Sequence, residues 1–127
     1  CMGPGSHGST FGGNPLAMTV GNAVLDKILK KGFLKSVQAI SKYFHSELSK
    51  LQSEFPNIIK EVRGLGLLIG IKITPDQNIF IKKLMDNRLL TIRAAENVIR
   101  LLPPLNVKKE NIDEAIAILK KVCKNFK

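Results

Sequence analysis

The spacing of apolar residues changes partway along the chain, and this change constrains the fold more than any other feature. Before Phe55-Pro56, apolar residues recur every three or four positions, which is the spacing of one helix face. After that point they occur in short β-rich runs between glycines and prolines, until helical spacing returns near the C-terminus. The sequence therefore predicts an α+β fold with two long helices followed by a small, mainly antiparallel sheet covered by helices on one side.

Local signals give the ends of the two long helices. Asn14-Pro15 starts the first helix, because Asn is a good N-cap and Pro is favoured at the first helical position. Lys30-Lys31-Gly32 ends it, since basic residues before a glycine are a typical helix stop. The second helix is predicted from Phe33 to Phe55-Pro56.

The remainder of the chain is predicted to contain four strands and two further helices. Arg63-Gly64-Leu65-Gly66 is expected to join the first two strands as an antiparallel pair. The predicted elements are strands from Ile58 to Val62 and Leu67 to Ile73, a short helix after Pro75-Asp76, strands from Leu89 to Ile92 and Val98 to Leu102, and a helix from Glu110 to Phe126.

A chain of 127 residues fits one domain. We expect residues 1–14 to form a glycine-rich phosphate-binding turn, ordered only by a ligand or a neighbour, and residues 15–127 to form the domain with its leading helix. No apolar run approaches a membrane span, and the first residues do not resemble a secretory signal. We therefore expect a cytoplasmic protein without a membrane partner.

The formal net charge of +10 raises nucleic acid as a partner. The lysines are nevertheless spread along every predicted helix, and the chain has one tyrosine and no tryptophan for base stacking. A solvated, lysine-rich surface is the favoured interpretation, and we expect no nucleic-acid partner.

The cysteines and histidines predict neither a metal site nor a catalytic arrangement. Cys1 and Cys123 lie at opposite ends of the sequence and are interpreted as a terminal thiol and a small apolar residue on a helix face. His7 is assigned to the glycine-rich turn and His45 to the surface of the second helix.

The segment from Gly5 to Ala17 combines glycines, hydroxyls and a helix start. Its glycines permit positive φ angles, and Ser9 and Thr10 place hydroxyl donors close to a helix N-terminus, which is suitable for binding an anion. The alternative is a flexible lead-in that only caps the helix. Gly3, Gly5 and Gly8 match the dinucleotide fingerprint formally, but no helix opens there, so that match is rejected.

This segment resembles the one with which class III, pyridoxal-phosphate-dependent aminotransferases contact their cofactor phosphate. Val62-Arg63-Gly64-Leu65-Gly66-Leu67-Leu68-Ile69-Gly70 is similar to the family's strand-turn-strand segment. Asn97-Val98-Ile99-Arg100-Leu101-Leu102-Pro103-Pro104-Leu105 is similar to its substrate-arginine segment. The three motifs occur in the family's order, and the likeness is greatest to the acetylornithine branch of the family.

The resemblance implies specific roles for three residues. Thr10, helped by Ser9, would contact the phosphate of pyridoxal phosphate held mainly by the other subunit of a homodimer. Arg100 would bind a substrate carboxylate, a task that suits a guanidinium among apolar neighbours. The implied fold is the C-terminal small domain of a fold-type I transferase.

The resemblance also implies that the catalytic lysine is missing. In the family, the lysine that forms a Schiff base and the acid that protonates the pyridine nitrogen precede the phosphate turn, and no lysine here occupies that motif. We expect a C-terminal part of an acetylornithine-type aminotransferase, without catalytic residues and inactive alone. The alternative is a non-catalytic, dimerising interaction module derived from the same domain.

Overall fold

A computed structural model describes residue 3 and residues 5–126, and the expectation for Cys1 lies outside the described residues. The chain divides into two compact units, Cys1–Leu34 and Lys35–Lys127. The first contains the glycine-rich turn and helix α1 (Pro15–Leu29), and the second contains the sheet and most of helix α2 (Phe33–Glu54).

Helix α1 begins where the sequence predicted. The Asn14 side chain accepts a hydrogen bond from the Ala17 backbone N–H at 2.9 Å, and Pro15 occupies the first turn. None of the α1 residues is buried. Leu16 and Val20, two members of its apolar stripe, are 76% and 54% exposed.

The second unit contains a four-stranded, fully antiparallel sheet with the strand order β1-β2-β4-β3. Three helices accompany it, so the α+β expectation is confirmed. The elements of this unit after α2 are β1 (Ile59–Leu65), β2 (Leu68–Ile73), α3 (Gln77–Asp86), β3 (Ile92–Ala94), β4 (Val98–Leu101) and α4 (Lys109–Lys124).

One side of the sheet contributes to the core, and the other side is open. In β2, Ile69, Ile71 and Ile73 alternate with the more accessible Leu68, Gly70 and Lys72. Each buried isoleucine contributes about 1.5–3 kcal/mol through removal of apolar surface from water. The core is completed by residues from the helices and from β4, chiefly Phe44, Leu48, Phe80, Leu84, Ile99, Ile112 and Leu119.

The β1–β2 hairpin is tighter than the sequence predicted. β1 continues through Leu65, which pairs with Leu68, so the turn consists of Gly66 and Leu67 only. Gly66 has φ 61°, which suits a two-residue hairpin turn. Gly64 lies within the strand at φ 143°, and a Cβ there would meet the Leu68 carbonyl oxygen at 2.1 Å.

The strand predicted from Leu89 to Ile92 is wrong over most of its length, because β3 begins only at Ile92. The Leu89 backbone N–H bonds to the carbonyl of Leu84 and closes the end of α3, while Arg88 adopts φ 66°. This arrangement is a Schellman motif, so the Leu89 amide is used by the helix end and not by the sheet.

His45 is also placed differently from the prediction of a surface residue. It is half-buried, and its Nε2 lies 3.0 Å from the Gly66 carbonyl oxygen, which also accepts a hydrogen bond from the Ser41 hydroxyl at 2.8 Å. Because a carbonyl oxygen only accepts, Nε2 carries the proton in this contact. His45 and Ser41 thus fasten the hairpin turn to α2.

Candidate functional site

The glycine-rich segment forms a series of short turns that lead into α1. The Gly12 N–H bonds to the Ser9 carbonyl at 3.2 Å, and the Asn14 N–H bonds to the Phe11 carbonyl at 3.4 Å. Gly13 adopts φ 71°, and a Cβ at Gly12 would lie 3.2 Å from the Ser9 Cβ. Glycines therefore allow the chain to fold closely around Ser9.

Ser9 and Thr10 are both exposed, and neither hydroxyl has a hydrogen-bond partner among residues 3 and 5–126. They lie a few residues before the N-terminus of a 15-residue helix, where the helix dipole favours negative charge. The donor set fits a phosphate group. Ser9 and Thr10 belong to the first unit, whereas Arg100 belongs to the second.

Arg100 lies in the middle of β4 between the buried Ile99 and Leu101. Its neighbour in β2 is Gly70, and Gly70 pairs with Arg63 in β1. The Arg100 side chain is therefore on the open face of the sheet, where residues in register share one side. Its Nε atom is buried and has no hydrogen-bond partner within the part of the chain that the structure describes.

A buried guanidinium nitrogen without a partner has an unsatisfied donor, which costs free energy unless a ligand accepts its hydrogen bond. A carboxylate is well suited, since it accepts two parallel hydrogen bonds from a guanidinium. An unsatisfied guanidinium donor beside a cavity makes Arg100 a candidate for binding a carboxylate.

Arg100 lines a cavity of about 420 Å³ on this face of the sheet. The surface combines two guanidinium groups with apolar side chains and two glycines. The lining residues are Arg63, Gly64, Leu65, Leu68, Ile69, Gly70, Ala94, Val98 and Arg100, and we call this site the arginine pocket. A larger cavity of about 630 Å³ elsewhere in this unit is lined chiefly by apolar residues, and neither arginine lines it.

The second arginine of the pocket is paired with acids that the sequence did not identify. Arg63 Nη2 lies 3.1 Å from Glu96 Oε2, and its Nη1 lies 3.6 Å from Glu61 Oε2. Glu61 lies two residues away on the same strand, whereas Glu96 lies in the turn between β3 and β4. Arg63 is therefore largely neutralised in place, unlike Arg100.

The β3–β4 turn is fixed by side-chain hydrogen bonds. Glu96 and Asn97 adopt φ 62° and 61°. The Asn97 side-chain amide donates to the carbonyls of Ile73 and Pro75 at 2.6 and 2.8 Å, and the Asn97 backbone carbonyl accepts from the Ile73 N–H at 3.1 Å. Asn tolerates left-handed backbone, so Asn97 was the one sequence signal that could have located this turn.

The structure gives no support for a metal site or a reactive thiol in the residues it describes. No group of three potential metal ligands occurs among them. Burial raises the pKa of the Cys123 thiol to about 12, so this cysteine on α4 is a packing residue. No helix in residues 3 and 5–126 combines the length and apolar character needed to cross a bilayer.

Comparison with known proteins agrees with these features. Residues 1–123 match the family described as Aminotransferase class-III. Acetylornithine aminotransferase 1 of Bradyrhizobium diazoefficiens is 46% identical over 122 residues, which is 96% of this chain and 30% of that protein.

Solved structures give the same result. Acetylornithine aminotransferase from Elizabethkingia anophelis superposes with a TM-score of 0.82 at 35% identity, covering 98% of this chain and 34% of that one. An ornithine aminotransferase from Plasmodium yoelii superposes with a TM-score of 0.84 at 32% identity, covering 99% and 34%. The chain spans about 30% of the length of the curated relatives it matches. The family match and these relatives establish that the chain belongs to the class III aminotransferases.

Proposed function

We propose that this chain is the C-terminal part of an acetylornithine-type aminotransferase, in which Arg100 binds a substrate carboxylate. The observation that carries this proposal is the buried, unpartnered Arg100 Nε at a cavity on the open face of the sheet. In the complete protein, the reaction would transfer an amino group from N-acetylornithine to 2-oxoglutarate during arginine synthesis. The names of the relatives supply acetylornithine as the amino donor, and the family resemblance supplies the acceptor and the pathway.

Ser9 and Thr10 would bind the phosphate of pyridoxal phosphate across the interface of a homodimer. Their exposed hydroxyls, without partners among the described residues, and their position before α1 support this role. When bound, the cofactor supplies the electron sink for the amino transfer. This chain would contribute Ser9 and Thr10 to hold the phosphate and Arg100 to orient the substrate carboxylate.

We further propose that the chain is inactive alone, since no lysine lies in the family's lysine motif. The test is an assay of the 127-residue chain with pyridoxal phosphate, N-acetylornithine and 2-oxoglutarate. We expect no turnover and no unique lysine carrying a borohydride-trapped pyridoxyl label. Turnover, or stoichiometric labelling of one lysine, would overturn this part of the proposal.

The role of Arg100 is tested in the protein completed by the coding sequence upstream of Cys1. If that sequence encodes the large domain with its lysine, Arg100→Lys should raise the KM for 2-oxoglutarate by about tenfold or more, because an ammonium loses the two-pronged contact. Arg93→Lys, which changes an exposed arginine on β3, is the matched control. An unchanged KM in the Arg100 variant would contradict the assignment.

A second candidate function is a non-catalytic module that dimerises through apolar surface. The exposed stripe of α1 favours it, since stripes of this kind mark interaction surfaces. An unrelated sequence or a stop codon upstream, together with a stable dimer of the 127-residue chain in sedimentation experiments, would support this alternative.

A further inference from the structure

Three residues form a row across the sheet at the arginine pocket. Arg63 in β1, Gly70 in β2 and Arg100 in β4 are consecutive partners in the register, so both arginines are on the same face. Neighbouring strands lie about 4.8 Å apart, which places the two arginine backbones about 10 Å from each other with a glycine between them.

Gly70 provides the space that the Arg63 side chain uses. A Cβ at Gly70 would lie 3.0 Å from Val98 Cγ1 and 3.7 Å from Arg63 Cγ. The aliphatic part of Arg63 therefore lies against β2, over the position where another residue would carry a side chain. A larger residue at position 70 would displace Arg63, Val98 or both.

Glu96 is the nearer of the two acids that pair with the Arg63 guanidinium. Their ion pair at 3.1 Å joins β1 to the β3–β4 turn at the opposite side of the sheet. Glu96 adopts left-handed backbone, which is unfavourable for a residue with a side chain, and the Asn97 hydrogen bonds hold the turn in place. The turn thus fixes the backbone of Glu96, while its side chain is 62% exposed and pairs with Arg63, a residue of the pocket lining.

Arg63 and Arg100 line the same pocket, so a carboxylate released from one of them has the other as the nearest cation of the lining. Without Arg63, the Glu96 carboxylate would lose this ion pair, and Arg100 would be the remaining cation of the pocket lining. With Arg63 in place, Arg100 has no acidic partner among the described residues.

We propose that Arg63 is a positioning residue that crosses over Gly70 to sequester Glu96, and thereby keeps the Arg100 guanidinium available for a substrate carboxylate. The proposal rests on the role of Arg100 proposed above. Gly70 leaves the space that the Arg63 side chain occupies, and the two arginines of the pocket differ in that only Arg63 has acidic partners among the described residues.

The experiment uses the 127-residue chain, with glutarate as the dicarboxylate probe and the arginine Nε–Hε resonances as readout. Arg63→Gln should shift the Arg100 Hε resonance without ligand, because Glu96 turns to Arg100. The same variant should weaken glutarate binding about threefold to fivefold, which is the range expected for a partly exposed ion pair.

The decisive variants restore what Arg63→Gln removes. Adding Glu96→Gln to Arg63→Gln should return both the Arg100 resonance and the glutarate affinity toward the unmodified values, and Arg63→Lys should do so in part. Gly70→Ala should give a weaker form of the Arg63→Gln effect. Glu54→Gln breaks the similarly exposed ion pair of Glu54 with Lys120, at 2.7 Å, and serves as the control without effect.

The outcomes separate this inference from the proposed function. An Arg63→Gln variant with an unshifted Arg100 resonance, or a double variant as weak as the single one, overturns the sequestration of Glu96. A chain whose Arg100 resonance does not respond to glutarate, and whose response at neighbouring amides is unaltered by Arg100→Gln, contradicts the carboxylate role itself. In that case, the shift of the Arg100 Hε resonance in ligand-free Arg63→Gln, and its reversal by Glu96→Gln, still test whether Glu96 pairs with Arg100 when Arg63 is removed.

Discussion

The two units of the chain differ in where their structure obtains its stability. In the first unit, a well-formed cap starts a 15-residue helix that buries none of its residues. In the second, nearly every strand and helix contributes side chains to a common core. Local signals alone specified the start of α1, whereas the second unit depends on packing between elements distant in sequence.

The largest difference is expected from truncating one apolar side chain in each unit. Phe80→Ala should lower the free energy of unfolding by about 3–5 kcal/mol, because Phe80 is fully buried and its ring stacks on Phe126. Leu16→Ala should change it by less than about 0.5 kcal/mol. Urea unfolding followed by circular dichroism measures both, and a comparable loss in the two variants would remove the contrast between the units.

A smaller effect is expected from replacing a glycine with positive φ in each unit. Gly64→Ala should destabilise the fold by about 2–3 kcal/mol, because its Cβ would collide with the Leu68 carbonyl oxygen. A Cβ at Gly13 would meet open space, so Gly13→Ala should cost only the strain of left-handed backbone, about 1 kcal/mol. The unfolding of the second unit should not change. Equal urea midpoints for the two variants would contradict this expectation.

Removing the cap of α1 tests whether that helix is stabilised locally. Asn14→Ala should cost about 1 kcal/mol of helix stability, since it removes the acceptor of the Ala17 N–H. Amide hydrogen exchange should become faster in α1 and remain unchanged in α2–α4. Asn87→Ala, which changes the C-cap residue of α3 in the second unit, is the comparison for the effect on exchange. Slower or equal exchange in α1 would show that contacts other than the cap hold it.

The smallest effect concerns pH and a surface link between α2 and α4. Hydrogen bonds from Tyr43 and Lys109 lower the pKa of Asp113 below its usual value. The stabilisation is therefore present above the unfolded-state pKa and is lost as the pH falls through the folded-state pKa. The Tm difference between the unmodified chain and Asp113→Asn should shrink toward zero as the pH falls below the usual aspartate pKa of about 3.9 and then through the lowered pKa of Asp113. A difference that grows with acidity would contradict the assigned direction.

Local sequence patterns predicted the features that depend only on residues close together in the sequence. The Asn14 cap, the helix start at Pro15 and the alternating isoleucines of β2 are all readable from a few adjacent positions. The predicted start of β3 at Leu89 was wrong because the Leu89 amide closes the end of α3. The Schellman motif there places Arg88 in the left-handed position, so no glycine in the sequence indicates the motif.

Contacts between distant residues were not predictable in the same way. Arg63 pairs with Glu96, which lies 33 positions away in the sequence and meets Arg63 only because of the strand order. Likewise, His45 was assigned to the surface because its bond to Gly66 depends on where the β1–β2 hairpin packs. The roles of Ser9, Thr10 and Arg100 remain predictions from the family resemblance.

The strand order β1-β2-β4-β3 also has a consequence for how the second unit folds. β1 with β2, and β3 with β4, form two hairpins closed by short turns, whereas β2 meets β4 only after α3 has been traversed. Closing short loops is fast, and pairing across a longer segment costs more chain entropy. We therefore expect the two hairpins to be formed early and their docking along β2 and β4 to limit the folding rate. Kinetic measurements on Ile71→Val and Ile99→Val, which alter partners across that central junction, would locate the step.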